Sequence, residues 1–379
     1  MFEDDADFLT ESRRHYVQYL KHRDGLRPLI VEFSRRLCER LTNERMILEN
    51  NDTLSQWQTC GLFELSHRMI YQPSTLALFG EIDATSIEKD FRLFDDSFHH
   101  FSAAFPRWIY TWFFSEELKA RSRLNQSWSK NLHPKGESEF VQARKAHLFA
   151  STDLVSEKDR YANQTGLLWG SLGNTIPATF WCLLYLLQDT KAVEIITNEI
   201  DKNLPIFSLD VDETNGTLKE EWTPEQLNSC VYLESAVNET LRLAGAPMIT
   251  RKCHQETKLV LHDGRTVIVQ PNETVAWLAA VTHRDPKIFP EPEKFLFDRF
   301  LNKNPETVLG FMPFGGGKSM CPGRFFARNE IKICVALLLR FFEYKLPDTT
   351  TIPIQKPQRV GFGVAPPTHD ISIIYRYKI

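Results

Sequence analysis

The residues best suited by type to do chemistry lie in one short run, Phe314-Gly315-Gly316-Gly317-Lys318-Ser319-Met320-Cys321-Pro322-Gly323-Arg324-Phe325-Phe326. Two chemistries compete for it. A phosphate cradle needs a glycine, four spacers and Gly-Lys-Ser/Thr between a strand and a helix, so that consecutive backbone N–H groups wrap the phosphates. Gly317-Lys318-Ser319 supplies the second half, but Met312 stands where the first glycine belongs. Pro313 removes a donor, and Cys321-Pro322 interrupts the run where the helix should be under way. The alternative makes Cys321 the working atom. A thiolate buried beside a metal needs N–H donors and a helix N-terminus to hold its charge, and a cysteine just ahead of a helix opening at Arg324 receives both. Gly315, Gly317 and Gly323 then permit tight turns and close approach of backbone to a large flat ligand. One more core cysteine in a loop is the plainer alternative.

The elements that must hold this loop are mostly helical. Apolar residues at three-to-four spacing predict helices over roughly 28–46, 55–70, 85–100, 106–128 and 136–149, with Ile30, Phe33, Leu37 and Leu41 as one such stripe. No residue from Thr165 to Leu187 is charged, and the run is long enough to cross a bilayer. Ser171, Asn174, Thr175, Pro177 and Thr179 crowd its centre, however. Such groups are costly in lipid and useful beside a bound ligand, so a buried helix through the protein is expected. Thr223-Pro224-Glu225-Gln226 has the form of a helix start, predicting a helix to about Leu243. Residues 258–262 and 265–270 flank an Asp263-Gly264 hairpin signal, a last apolar helix runs from about Arg324 to Tyr344, and the C-terminal residues alternate like a strand. The expected fold class is mainly α with small β-sheets (α+β).

Composition narrows the partners. The 379 residues are 42% hydrophobic and 25% charged, which suits a large core, and a net charge of −4 without a basic run offers no nucleic-acid surface. Seven cysteines without a CxxC pair read as reduced thiols rather than a disulfide framework or zinc knuckle. The first twenty or so residues are acidic and amphipathic, with neither a signal-peptide core nor a membrane anchor.

Phe314-x-x-Gly317-x-x-x-Cys321-x-Gly323 with Ala327 resembles the haem-binding signature of the cytochrome P-450 enzymes, the haem-thiolate monooxygenase family. Glu239-Thr240-Leu241-Arg242 resembles the family's Glu-x-x-Arg, and Phe297-Asp298-Arg299-Phe300 its later arginine motif, in the expected order. Three further stretches resemble the clan of the sterol 7-alpha and 12-alpha hydroxylases and prostacyclin synthase. They run over 168–181, over 242–251, and from Gly361-Phe362-Gly363 to Pro366-Pro367-x-x-Asp370. The resemblance spans essentially all of 1–379 as one cytochrome P-450 domain. It corresponds to the C-terminal three quarters or so of the family's usual length, with the anchor and first helices and strands expected to be absent.

This resemblance implies haem b, with Cys321 as the axial thiolate to iron, pushing electron density that favours O–O cleavage. It makes Phe314, Gly315, Gly317, Gly323 and Ala327 the cradle. Arg251, and more weakly Lys318, become partners for the propionates, because Ser319 stands where the family often has a basic residue. Glu239, Arg242 and Arg299 are implied to form a buried ion triad, an organiser more than a stabiliser. Most of the family carries an acid and then a threonine at the centre of the long helix; this chain has Gly173-Asn174, followed by Thr175. Asn174 can donate and accept but is no acid. Either water positioned by Asn174 delivers protons, or the reaction needs none. Pro177 is expected to open the helix there.

The implied function is hydroxylation of a sterol-like or other lipophilic substrate with O2 and electrons from an NADPH-cytochrome reductase. Cys321-Pro322-Gly323-Arg324-Phe325-Phe326 and Phe314 resemble the hydroxylases more than the isomerase. Three alternatives stay open: isomerisation of a lipid endoperoxide, a truncated haem-binding member without activity, and a cysteine hydrolase pairing Cys321 with a histidine such as His283. The aromatic run over 101–114 is either the family's access channel and membrane contact or plain core. The family analogy implies the cytoplasmic face of the endoplasmic reticulum; a chain lacking the anchor would be cytoplasmic.

Overall fold

Apolar side chains at i, i+3, i+4 and i+7 build most of the architecture, because a stripe of that period leaves water only as one face of a helix. The computed structural model describes residues 6–103, 105–205, 222–261, 263–347 and 350–378. Helix α1 (Ala6–Leu20) leads into α2 (Arg23–Asn50), whose Leu26, Ile30, Phe33, Leu37 and Leu41 are buried against α3 (Leu62–Phe79). An outer layer follows: α4 (Ala84–Asp96), α5 (Phe98–Ser102), α6 (Arg107–Phe113), α7 (Ser115–Lys130) and α8 (Glu139–Ala150). Then α9 (Glu157–Leu172) and α10 (Thr175–Leu187) run into the middle, where α10 meets α3 and α13 (Val231–Ala244). Helices α11 (Thr190–Asn203), α12 (Pro224–Ser229), α14 (Ala279–His283) and α15 (Arg324–Phe341) complete the helical set among the described residues.

The strands are short and antiparallel. They are β1 (Gln58–Gly61), β2 (Met248–Lys252), β3 (Thr257–Val260), β4 (Thr266–Val269), β5 (Thr274–Leu278), β6 (Phe342–Lys345) and β7 (Ser372–Tyr377). Among the described residues they form a three-stranded sheet in the order β1-β7-β6 and two ribbons, β2-β5 and β3-β4. The β3-β4 ribbon is the hairpin expected around Asp263-Gly264, with Gly264 at φ 82°; His262 lies outside the described residues. The small sheets and dominant helices are the expected α+β class.

Several boundaries differ from expectation, each for a reason outside its own segment. The helix predicted over 55–70 is displaced to α3, because 58–61 pair with β7 instead, Gln58 opposite Tyr375. Thr223 caps α12 in a capping box with Gln226, as the local sequence requires, but the chain breaks again at Cys230 before α13. The predicted 106–128 helix breaks at Phe114. The single helix expected over 165–187 is two helices, α9 starting earlier and α10 following a break at Gly173-Asn174. Pro177 sits in the first turn of α10, where a missing N–H is tolerated, so the opening falls ahead of it. The aromatic run divides between the two alternatives: Phe101 packs against the core, Trp108, Trp112 and Phe113 are 61, 80 and 69% exposed, and Ala104 lies outside the described residues.

The C-terminal segment locks the core. The Asp370 carboxylate accepts the first N–H groups of α3, from Phe63 at 2.7 Å and Glu64 at 3.1 Å, and so caps that helix from 306 residues away. Gly61 leaves the room, since a Cβ there would lie 2.0 Å from Asp370 Oδ2. Asp370→Ala is expected to lower stability by about 1 kcal/mol, read as a lower urea midpoint with unchanged slope.

Candidate active site

The Cys321 loop is a closed turn held by its own backbone. The Cys321 N–H donates to the Phe314 carbonyl at 2.9 Å, Gly315 N–H to Met312 at 3.2 Å and Met320 N–H to Gly317 at 3.1 Å. Gly315 and Gly317 adopt φ 76° and 65°, the left-handed region where a side chain is strained. Gly323 serves space rather than conformation: it precedes α15, and a Cβ there would stand 4.0 Å from Cys321 Sγ. Burial pushes the Cys321 thiol up, and the N–H groups of Gly323 and Arg324 and the Arg324 guanidinium pull it back.

Cys321, Phe314, Gly323 and Ala327 line a cavity of about 800 Å³. Gly315 and Gly317 shape the turn behind it. Arg251 reaches the loop from β2, its Nη2 donating to the Gly316 carbonyl at 2.9 Å. Lys318 is exposed on the loop, and neither it nor Arg251 lines the cavity.

The opposite wall is the α9–α10 break. Asn174 Oδ1 accepts the Val364 N–H at 2.9 Å, which assigns the carboxamide and leaves its Nδ2 as the group able to donate. Gly363 makes this possible, since a Cβ there would meet Asn174 Oδ1 at 2.4 Å. Thr175 donates its hydroxyl to the Ser171 carbonyl at 2.8 Å, bridging the break. Both residues line the cavity.

Glu239, Arg242 and Arg299 meet behind the loop. Arg242 Nε and Nη2 donate to Glu239 at 2.8 and 2.9 Å, and Arg299 Nε reaches both carboxylate oxygens at 2.9 and 3.0 Å. The Leu296 N–H adds a third donor at 3.0 Å. The remaining guanidinium N–H groups take backbone carbonyls of 283 and 290–294. His283 carries the connection onward: its carbonyl accepts from Arg242 at 2.7 Å, and its Nε2 accepts the Met312 N–H at 3.0 Å, two residues before Phe314. Burial lowers that imidazole to about 4. Among the described residues no hydrogen bond joins it to Cys321, and its Nε2 is taken by Met312, so His283 is not placed to serve as the base of the hydrolase pairing.

The donor set at the cavity fits haem. Among the described residues no cluster of three His, Cys, Asp or Glu could hold a bare metal ion. A single thiol beside helix N–H donors in a mainly apolar slot suits a metal whose other ligands come from a macrocycle. Fold and site thus define an oxidoreductase of the haem-thiolate monooxygenase class. Residues 1–373 match the sequence profile described as Cytochrome P-450. The chain belongs to the cytochrome P-450 family.

Among its relatives, the 7-alpha-hydroxycholest-4-en-3-one 12-alpha-hydroxylase of Oryctolagus cuniculus is 32% identical over 350 residues, covering 86% of this chain and 67% of the relative. The 25-hydroxycholesterol 7-alpha-hydroxylase of Rattus norvegicus is 32% identical over 349 residues, covering 86% and 81%. Cytochrome P-450 7A1 of Oryctolagus cuniculus is 30% identical over 345 residues, covering 85% and 67%.

Three polar side chains near the cavity had no signal in the sequence. Asp95 and Arg359 pair at 2.8 Å beside the break, 264 positions apart. Glu330 on α15 lines the cavity fully buried, its only partner among the described residues the Ser74 hydroxyl of α3. Burial raises Glu330 to about 8 against an ordinary 4.5. The unfolded chain therefore releases this proton near pH 4.5 and the folded chain near pH 8, so stability falls as pH rises through that window. Glu330→Gln has no such penalty. Its urea-unfolding advantage over the parent is expected to be small at pH 4.5 and to approach about 5 kcal/mol at pH 8. Glu239→Ala leaves two buried guanidinium groups uncompensated and is expected to cost about 3–5 kcal/mol in the same measurement.

Proposed function

We propose that the chain holds haem b on Cys321 and hydroxylates a sterol or similarly lipophilic molecule, with O2 as oxidant and electrons from an NADPH-cytochrome reductase. One observation carries this: the Cys321 thiol and the Asn174 carboxamide open onto the same, mainly apolar cavity of about 800 Å³, a size suited to a small-molecule site. The sterols in the relatives' names support the substrate class. When bound, haem supplies the oxygen chemistry. The protein's own groups bind, orient and protect.

Phe314, Gly315, Gly317, Gly323 and Ala327 shape the cradle. Arg251 and Lys318, on the loop's exposed side, would be the partners for the haem propionates, and the Glu239–Arg242–Arg299 triad with His283 keeps the loop from moving. Asn174 acts as a donor, because its acceptor oxygen is engaged by Val364. It orients a substrate oxygen or a water, and that water carries protons. The apolar walls exclude other water and so strengthen this hydrogen bond.

The same geometry favours a second function, isomerisation of a lipid endoperoxide. Asn174 Oδ1 and the Thr175 hydroxyl hydrogen are both committed inside the protein, so neither relays a proton, and isomerisation needs none.

The exposed Trp108, Trp112 and Phe113 of α6 form an aromatic face suited to a lipid headgroup boundary. We place it on the cytoplasmic face of the endoplasmic reticulum. Among the described residues no helix is long and apolar enough to cross a membrane.

With haem loaded, the reduced protein is expected to give a thiolate-type carbon monoxide band that Cys321→Ala abolishes; a band surviving in that variant overturns the ligand. Reductase, NADPH and 25-hydroxycholesterol are expected to yield a hydroxylated sterol with NADPH consumed, and Asn174→Ala to lower kcat/KM about tenfold. Endoperoxide rearrangement without NADPH, and no sterol product, would establish the isomerase instead. Replacing Trp108 and Trp112 together by serine is expected to weaken binding to phospholipid vesicles about tenfold or more, measured by co-flotation.

A further inference from the structure

The carbonyl of Gly173 has no helical donor, because the residue four positions on is Pro177, which lacks an N–H. Arg359 meets it instead, with Nη2 at 3.4 Å. Arg359 is 2% exposed. Its Nη1 binds the Asp95 carboxylate at 2.8 Å and also the Asp95 carbonyl. Trp169, one turn before the break, donates Nε1 to the same carboxylate oxygen at 2.8 Å, and the guanidinium carbon lies 5.8 Å from its ring. Phe98 stacks on that ring with centroids 3.5 Å apart. Gly173 packs directly on this group, since a Cβ there would meet Trp169 Nε1 at 2.9 Å. Five residues after Arg359, the Val364 N–H holds the Asn174 side chain at 2.9 Å. One short segment thus grips the break twice, by the backbone of 173 and by the side chain of 174.

We infer that Arg359, anchored by Asp95, is a positioning residue that keeps the α9–α10 break open and the Asn174 carboxamide aimed into the cavity. Neither Arg359 nor Asp95 lines the cavity, so both act through Asn174 and not on a ligand. With Arg359 buried and Asp95 half-buried, the pair is a poor stabiliser, because the cost of desolvating charge offsets the attraction; orientation is what it supplies. A guanidinium can serve Asp95 and the Gly173 carbonyl together through its fixed fork, whereas an ammonium is a single point of charge. Without that second donor the Gly173 carbonyl is unsatisfied, and the turn can relax by rotating residue 174, which carries its side chain away from Val364.

The consequence for turnover rests on the haem-dependent function proposed above; the structural claim does not. Hydrogen exchange of backbone amides tests it directly. Arg359→Met is expected to speed exchange across 174–179 about tenfold or more while leaving the far turn of α10, 182–187, near the parent's rate. Arg359→Lys keeps a charge for Asp95, so its urea midpoint is expected to stay near the parent's while exchange at 174–179 still rises. Parent-like exchange at 174–179 in either variant overturns the clamp.

In the haem-loaded protein, product formed per NADPH with 25-hydroxycholesterol is the second readout. Arg359→Met is expected to lose about tenfold, and the double variant with Asn174→Ala no more than Asn174→Ala alone. Losses that multiply overturn action through Asn174. A parent protein that binds haem but makes no sterol product would defeat the proposed function, and the exchange result would still decide the clamp.

Discussion

A thiol set in the wall of an apolar cavity, which the proposed function requires as a thiolate, is the constraint on which the rest of this structure depends. Desolvation opposes the charge, and only fixed dipoles can offset it. The protein supplies them by ending a turn at Cys321 and starting α15 three residues later, so that the Gly323 and Arg324 N–H groups and the positive end of a buried helix point at the sulfur. The glycines follow from this demand. Gly315 and Gly317 let the turn close, and Gly323 keeps the face of the sulfur clear.

Such a turn is only as rigid as what stands behind it, and here that is buried charge. Glu239 is fully buried yet receives donors from Arg242, Arg299 and the backbone of Leu296. The guanidinium groups then spend their remaining N–H groups on carbonyls of the irregular chain between α14 and the loop. A segment without repetitive structure has no internal ladder for its backbone groups, and the ion triad substitutes for one. Glu330 contrasts with this. Its one hydroxyl partner holds a neutral acid and not an anion.

The far wall uses the same physics in reverse. A proline in the first turn of α10 removes one N–H, and the carbonyl it frees lies where helix packing gives no access to bulk water. A buried cation meets that carbonyl, and a half-buried carboxylate, itself held by an indole N–H, keeps the cation in place. The C-terminal segment that brings Arg359 also brings Gly363, Val364 and the Asp370 cap on α3. The α9–α10 break and the core helix α3 are therefore tied by one stretch of chain.

Local sequence was sufficient for whatever depends on neighbours along the chain. The stripe of Ile30, Phe33, Leu37 and Leu41, the capping box at Thr223 and Gln226, the Asp263-Gly264 hairpin and the turn around Cys321 were all legible, because helix period, capping and turn chemistry are set within a few residues. The motif spacing around Cys321, Glu239 and Arg299 was equally readable as a resemblance. What only the tertiary structure decided is where helices stop and which polar groups meet. Residues 58–61 became a strand because β7 lies beside them, and the uncharged run over 165–187 broke because Pro177 leaves the Gly173 carbonyl without a helical donor and Arg359 and Val364 hold residues 173 and 174 from outside the helix. Asn174 reads in sequence as both donor and acceptor; it became a donor when Val364 took its oxygen, a choice made 190 positions away. Hydrogen-bond satisfaction in a dry interior is a property of the assembled core, and no window of sequence contains both partners.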